Sequence, residues 1–284
     1  MGVATGFWIL LALCSMGKEK TMSHEMDLSF LDQPAILRLL FYPRKDMGIS
    51  TAGDTHYIEV EKGIKIGCRF YWKDINWPSI IYFHGNGETV GDYDWVAPYF
   101  NERGMNLFVA DYRGYGLSDG SPNFTNLVRD SHPVFLGFQK ILEKGNFAKK
   151  IFIMGRSLGS IPATELAFHY QDQIRGLIIE SGGADTVLRL FDLFEIFVDE
   201  PLKEALEAAS NKAKIRQVNV PTFIIHAEYD SIIPLSEGEK LYENSGAEKK
   251  EIFIVPGADH NDLWQVAGDE YFDRIGNFVK ANSK

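Results

Sequence analysis

Cysteine is nearly absent from this chain, and two cysteines among 284 residues exclude a disulfide-stabilised scaffold. Spacings typical of metal ligands, such as H-E-x-x-H or paired cysteines, are missing, so we expect no metal. Neither G-x-G-x-x-G nor a Walker lysine occurs, which argues against a nucleotide cofactor. The sequence therefore predicts chemistry carried by side chains alone. The 45% of residues that are hydrophobic are enough to build a substantial core.

Basic residues are also in short supply. The chain has 29 Lys and Arg against 39 Asp and Glu, a formal net charge of -10. Nucleic-acid binding requires clustered basic side chains that neutralise phosphates, and we find no such cluster. We therefore expect no nucleic-acid partner.

Long apolar runs are missing. The first apolar run, residues 7–14, is too short to span a bilayer as a helix. It resembles the apolar region of a signal peptide, although no basic residue precedes it. Residues 11–14 also resemble a lipoprotein box in which Leu13 is a misfit. We expect residues 1–25 to export the chain or anchor it to a membrane, and residues 26–284 to form one domain. Without such a role for the N-terminal segment, the chain would be cytoplasmic.

Short apolar runs alternate with helical patterns from residue 79 onward. The strand-like runs span residues 80–83, 106–110, 151–154, 174–179, 222–226 and 251–255. The helical patterns span residues 92–102, 124–143, 161–170, 185–214, 236–244 and 264–279. This alternation predicts a mainly parallel sheet that helices cover on both faces, a three-layer α/β/α fold. Upstream, residues 56–60 and 64–72 alternate in polarity and flank Lys62-Gly63, which predicts an antiparallel hairpin at the start of the sheet.

Residues 184–217 are longer than a crossover helix requires. Bulky apolar residues alternate there with acidic ones, which predicts a small helical cap inserted over the carboxyl edge of the sheet. An ordinary crossover helix is the alternative. In either case apolar side chains would lie near the edge where open α/β sheets bind ligands.

The sequence G-R-S-L-G at residues 155–159 follows an apolar run directly. Glycines on both sides of a serine, between a strand and a helix, are typical of a sharp turn that exposes the hydroxyl. We expect Ser157 to be a nucleophile. The N–H of Leu158 would be one donor of an oxyanion hole.

A serine hydroxyl needs a base and a group that orients the base. Of seven histidines, His260 alone lies in the loop after the last predicted strand, and Asp230 follows the strand-like run before it. Ser157, Asp230 and His260 occur in the order nucleophile, acid, histidine. The rival acids are Glu228, Asp259 and Asp262, with Glu180 as second choice.

The second oxyanion donor should come from H-G-N-G at residues 84–87, which follow a predicted strand. Its glycines allow close approach of the backbone, and the N–H of Asn86 is our candidate. Each such donor stabilises the transition state by roughly 3 to 4 kcal/mol. The turn at residues 111–116 is interpreted as structural, with Asp111 and Arg113 bracing neighbouring loops.

Taken together, these segments resemble the α/β-hydrolase superfamily over residues 64–279. The matching motifs are H-G-N-G at 84–87, D-Y-R-G-Y-G at 111–116, the serine turn, D-S-I-I-P at 230–234 and G-A-D-H at 257–260. The chain is similar in particular to the small-cap group called serine aminopeptidase-like or Bem46-like, with acyl-thioesterases and lysophospholipases nearby. The resemblance implies a cofactor-free serine hydrolase. Ser157 would attack, His260 would act as base and then as acid, Asp230 would orient it, and Asn86 would supply the second oxyanion donor.

The expected activity is hydrolysis of carboxylic esters or thioesters of small or lipid-like acyl substrates through an acyl-Ser157 intermediate. The apolar cap segment motivates the lipid-like class. An amidase or peptidase of the same fold is the nearest alternative. A protein that keeps the fold as a non-catalytic binding scaffold is the alternative from another class. The oligomeric state stays open.

Overall fold

The computed structural model describes residues 29–46, 52–193 and 195–284. The expected N-terminal segment, residues 1–25, lies outside the described residues, as does Cys14. Cys68 lies in the core as a free, buried thiol. Within the described part of the chain no helix has both the length and the apolar character needed to cross a membrane.

An eight-stranded sheet forms the centre of the molecule, in the order β1-β2-β4-β3-β5-β6-β7-β8. The strands are β1 Asp54–Glu61, β2 Ile64–Tyr71, β3 Ser79–Phe83, β4 Asn106–Ala110, β5 Ile151–Arg156, β6 Gly176–Glu180, β7 Thr222–Ala227 and β8 Lys250–Val255. β1 and β2 form the predicted antiparallel hairpin, and β2 pairs antiparallel with β4. All pairs from β4 through β8 are parallel. The mainly parallel sheet with an antiparallel start is therefore confirmed.

Helices cover both faces of this sheet. They are α1 Pro34–Leu40, α2 Ala97–Glu102, α3 Phe124–Arg129, α4 Ser131–Lys144, α5 Ser160–His169, α6 Thr186–Leu193, α7 Glu200–Ala209, α8 Asn211–Ile215, α9 Leu235–Asn244, α10 Leu263–Ala267 and α11 Asp269–Asn282. Alternate strand residues point to opposite faces. Ile81 and Phe83 therefore belong to one core together with residues of α1, α3, α4, α5 and α9, and Ile80 and Tyr82 belong to the other core together with residues of α2, α10 and α11. The two resulting cores hold the strand ends in place.

Two of the predicted helices are each split in the structure. The pattern over residues 124–143 divides at Asp130, because Pro133 has no N–H with which to continue the helix from the carbonyl of Arg129. The pattern over residues 264–279 divides at Gly268, whose φ of 58° lies in the left-handed region that ends a helix. The helical spacing of apolar residues continues through both breaks, so this spacing did not predict them.

The chain between β6 and β7 folds into α6, α7 and α8. The Asp199 carboxylate accepts a hydrogen bond from the N–H of Leu202 and starts α7. The hydroxyl of Ser210 accepts one from the N–H of Ala213 and starts α8. These polar residues divide a long apolar interval into three short helices.

Candidate active site

Ser157 lies on a sharp turn between β5 and α5. Its φ is 51°, a left-handed conformation that is costly for a residue with a side chain. The neighbouring backbones leave no space beside it. A Cβ atom on Gly159 would lie 2.0 Å from the carbonyl oxygen of Phe83, and one on Gly155 would lie 2.2 Å from the carbonyl oxygen of Gly159. Both glycines are therefore required for the turn that presents the serine.

His260 and Asp230 lie beside this serine. His260 Nε2 is 2.9 Å from Ser157 Oγ, and His260 Nδ1 is 2.7 Å from Asp230 Oδ2. Because a carboxylate only accepts, Nδ1 carries the proton and Nε2 is left to accept from the serine hydroxyl. Burial raises the pKa of Asp230, but the hydrogen bond and charge of His260 and the N–H groups of Ile233 and Ile232 outweigh it and lower this pKa below its usual value. The carboxylate therefore stays ionised.

The rival acids in these two loops have other partners. Glu228 accepts a hydrogen bond from the N–H of Gly257 at 2.8 Å, and Asp262 accepts one from the N–H of Asp259 at 2.7 Å. Asp259 itself accepts from the N–H and the hydroxyl of Ser231, both at 2.8 Å. Among the described carboxylates, Asp230 is the one that contacts the imidazole beside Ser157.

The side chain of Asn86 ties the loop after β3 to the segment that precedes the sheet. Its Oδ1 accepts from the N–H of Tyr42 at 3.0 Å and from the hydroxyl of Tyr115 at 2.6 Å. Its Nδ2 donates to the carbonyl of Leu40 at 2.9 Å. Both the oxygen and the nitrogen of this amide side chain thus have partners, and these bonds fix the position of the backbone that carries it.

A pocket of about 430 Å³ contains these groups, a size typical of sites for small ligands. Ser157, His260, Asn86 and Leu158 all line it. Its apolar wall consists of Leu39, Leu40, Tyr42, Leu190, Ile232 and Ile233. The structure therefore brings the predicted nucleophile, base and oxyanion residues to one apolar cavity.

Comparison with known proteins agrees with this architecture. The profile of the family described as "Serine aminopeptidase, S33" matches residues 78–198. Protein bem46 of Schizosaccharomyces pombe is 30% identical over 208 residues, which cover 72% of this chain and 68% of that protein. The chain belongs to the serine aminopeptidase-like α/β hydrolases. The expected family resemblance is confirmed.

Other members and fold relatives of this hydrolase extend the comparison. Human alpha/beta hydrolase domain-containing protein 17B is 29% identical over 220 residues, 77% of this chain and 72% of that protein. The Pyrococcus furiosus esterase Pf2001 superposes with a TM-score of 0.69 at 19% identity, covering 85% of this chain and 99% of the esterase. At that identity the superposition shows the fold alone, and it confirms the α/β-hydrolase architecture.

Arg156, the residue before the serine in this hydrolase, was not singled out from the sequence. It is buried and forms ion pairs with Glu88 and with Glu180. Its Nη2 donates to the carbonyl of His260 at 2.7 Å and to Oδ1 of Asn261 at 3.0 Å. The available signal in the sequence was its place inside the serine motif, at the end of a strand that is buried on both faces. Arg156 thereby positions the loop that carries His260.

Glu180, the second-choice acid, belongs to this buried cluster and does not contact the imidazole. Its Oε2 accepts from the hydroxyl of Tyr271 at 2.7 Å and from that of Tyr82 at 3.2 Å. Burial raises the pKa of Glu180 although Arg156 opposes the shift. Its role in the hydrolase is to pair with the guanidinium.

His226 lies beneath the acid, fully buried in β7. Its Nε2 donates to the carbonyl of Ile233 at 2.8 Å and lies 3.5 Å from Asp230 Oδ2. Burial lowers the pKa of His226, so the ring is neutral and adds no positive charge beside Asp230. It supports the turn that presents the carboxylate.

One group of described side chains brings three possible metal ligands close together, a feature that motif spacing did not predict. His132 on α4 and Glu165 and His169 on α5 bring their ligand atoms within 4.8 Å of one another. Glu165 Oε2 also forms an ion pair with Nζ of Lys214, at a distance of 2.6 Å. That ion pair compensates the carboxylate and joins α5 to α8. None of these four residues lines the pocket over Ser157.

Proposed function

We propose that this hydrolase cleaves carboxylic esters or thioesters through an acyl-Ser157 intermediate, without a cofactor. The observation that supports the proposal most strongly is the continuous hydrogen-bonded series Ser157, His260, Asp230 at the wall of an apolar pocket. A serine that a neutral imidazole contacts in this way is activated for attack on a carbonyl carbon.

The proposed reaction has two halves. Ser157 Oγ attacks the acyl carbon while His260 Nε2 takes its proton, and the N–H groups of Asn86 and Leu158 stabilise the oxyanion. His260 then gives this proton to the departing alcohol or thiol, which leaves acyl-Ser157. Water repeats the sequence, with His260 taking one water proton and returning it to Ser157 as the acid departs. Asp230 stays charged throughout and stabilises the imidazolium.

The apolar wall favours acyl groups of small or lipid-like substrates, because apolar surface that leaves water contributes about 25 cal/mol per Å². We therefore expect 4-nitrophenyl esters of graded chain length to be hydrolysed, with kcat/KM changing along the series. Aminoacyl anilides test the amidase alternative. Strong anilide turnover without ester turnover would overturn the proposed substrate class.

Replacement of the nucleophile tests the mechanism. Ser157→Ala should lower kcat by at least about 10⁴-fold and abolish labelling by a fluorophosphonate. Ser160→Ala is the matched control. Ser160 begins α5, the helix that follows Ser157, and its hydroxyl accepts a hydrogen bond from the side chain of Asn211 at 3.1 Å. The control should keep its labelling. Undiminished hydrolysis by Ser157→Ala would show that another residue is the nucleophile, and no labelling of the unmodified protein would favour a binding scaffold.

A further inference from the structure

Arg189 introduces a positive charge into the pocket over Ser157. It lies on α6 and lines the cavity together with Thr186 and Leu190, which share its face of the helix. The side chain is half-buried. Among the ion pairs and side-chain hydrogen bonds of the described residues, none involves its guanidinium.

In the described ranges of the chain, the lining of the pocket offers this guanidinium no counter-charge. The described lining includes no carboxylate. The other arginine of the lining, Arg156, is neutralised by Glu88 and Glu180. Since the chain carries a net charge of -10, the positive group at the pocket is not part of a generally basic surface. A half-buried charge without a partner is costly, and a bound anion would offset that cost.

We propose that Arg189 forms an anion-binding subsite and that the preferred substrates are esters with a carboxylate, phosphate or similar anionic group. The proposal rests on the proposed function, because it specifies the substrate class of the same site. A planar guanidinium binds such a group with two parallel hydrogen bonds.

Two similar esters, one with a charged end and one with a neutral end, provide the first test. Mono-4-nitrophenyl glutarate ends in a carboxylate, and 4-nitrophenyl methyl glutarate ends in the neutral methyl ester. Arg189→Gln should lower the ratio of kcat/KM for the charged ester to kcat/KM for the neutral ester about 10- to 100-fold, as expected for loss of a charge-assisted hydrogen bond. Arg189→Lys should keep part of the preference. Arg175→Gln is the control, since Arg175 is exposed and precedes β6 at the opposite edge of the sheet.

The side of the ester that bears the charge is resolved by a second pair. This pair consists of the acetate esters of 4-hydroxybenzoate and 4-hydroxybenzamide. The leaving group is charged in the first ester and neutral in the second. An Arg189-dependent preference in either pair supports the subsite and locates it. Equal kcat/KM ratios for the unmodified protein and Arg189→Gln in both pairs would overturn it, because a guanidinium that only covers apolar surface would give that result.

Binding separates failure of the subsite from failure of the proposed function. Calorimetry on Ser157→Ala should show tighter binding of the glutarate monoester than of its methyl ester, and Ser157→Ala/Arg189→Gln should lose this difference. Charge-dependent binding without hydrolysis by the unmodified protein would keep the subsite and refute the esterase. Hydrolysis without charge-dependent binding would do the reverse.

Discussion

Arg156 offers the sharpest test of how the site is held together. Replacing it with methionine keeps much of the volume but removes the guanidinium that pairs with Glu88 and Glu180. It also removes the donor to the carbonyl of His260. The variant therefore leaves two carboxylates in a buried cluster and frees the loop of the proposed base.

The cost follows from the burial of these charges. Removing one partner of a buried ion pair lowers the free energy of unfolding by about 3 to 5 kcal/mol. For a chain of this size each kcal/mol shifts Tm by about 2 to 4 °C, so a fall of about 10 °C is expected. Burial raises the pKa of Glu88, and Arg156 is the main group that lowers it below the usual value. Without Arg156, the pKa values of Glu88 and Glu180 both rise.

The sign of the pH dependence distinguishes this reasoning from a simple packing defect. Carboxyls whose folded-state pKa is raised are neutral in the folded protein at low pH, and the stability they contribute is lost as pH rises through that pKa. Arg156→Met should therefore differ from the unmodified protein much less near pH 5 than near pH 8. Urea unfolding at both values measures the difference.

Two controls accompany this measurement. Arg175→Met removes an exposed arginine and should change stability by less than about 0.5 kcal/mol. Arg156→Met/Glu180→Gln removes one buried charge and should recover part of the loss at pH 8. A loss that is equal at both pH values, or a double variant no more stable than the single one, would refute the electrostatic explanation.

Two further predictions concern the serine turn and the ion-pair network. Gly159→Ala places a Cβ atom 2.0 Å from the carbonyl oxygen of Phe83, so it should cost about 3 kcal/mol in urea unfolding. Gly63→Ala, which meets open space, should cost about 1 kcal/mol, and equal losses would contradict the steric reason. Burial raises the pKa of Glu165, but the His132 hydrogen bond and the Lys214 charge outweigh it and lower this pKa to about 2. At pH values above the usual pKa of a glutamate, the charge of Glu165 therefore stabilises the fold by about 3 kcal/mol. This stabilisation is lost as the pH falls toward 2. Glu165→Gln should remove this stabilisation at neutral pH, and acid unfolding curves that coincide for the two proteins would contradict it.

The sheet could be predicted from the sequence because its signals are local. Each parallel strand is a short apolar run, buried on both faces, with a turn or a helical pattern on each side. Ser157, Asp230 and His260 could be predicted to meet because each follows such a run, and parallel strands place their carboxyl ends at one edge. Their catalytic roles stay predictions.

The supporting contacts could not be predicted in this way. Glu88 follows β3 and Glu180 ends β6, and they meet at Arg156 only because the sheet order places β5 between those strands. The position of Arg189 in the pocket depends on how α6 lies across the sheet edge, a property of tertiary packing that periodicity does not encode. The breaks at Asp130 and Gly268 depended on single residues within otherwise continuous helical patterns.

Because Asn86 is hydrogen-bonded to residues ahead of β1, the upstream chain helps to fix the position of a proposed oxyanion donor. The N–H of Tyr42 and the carbonyl of Leu40 hydrogen-bond to the side-chain amide of Asn86, the residue whose backbone N–H is the proposed second donor to the oxyanion. We expect a cut in that upstream stretch, or a partner bound to it, to affect turnover through these two hydrogen bonds, with no rearrangement of the sheet.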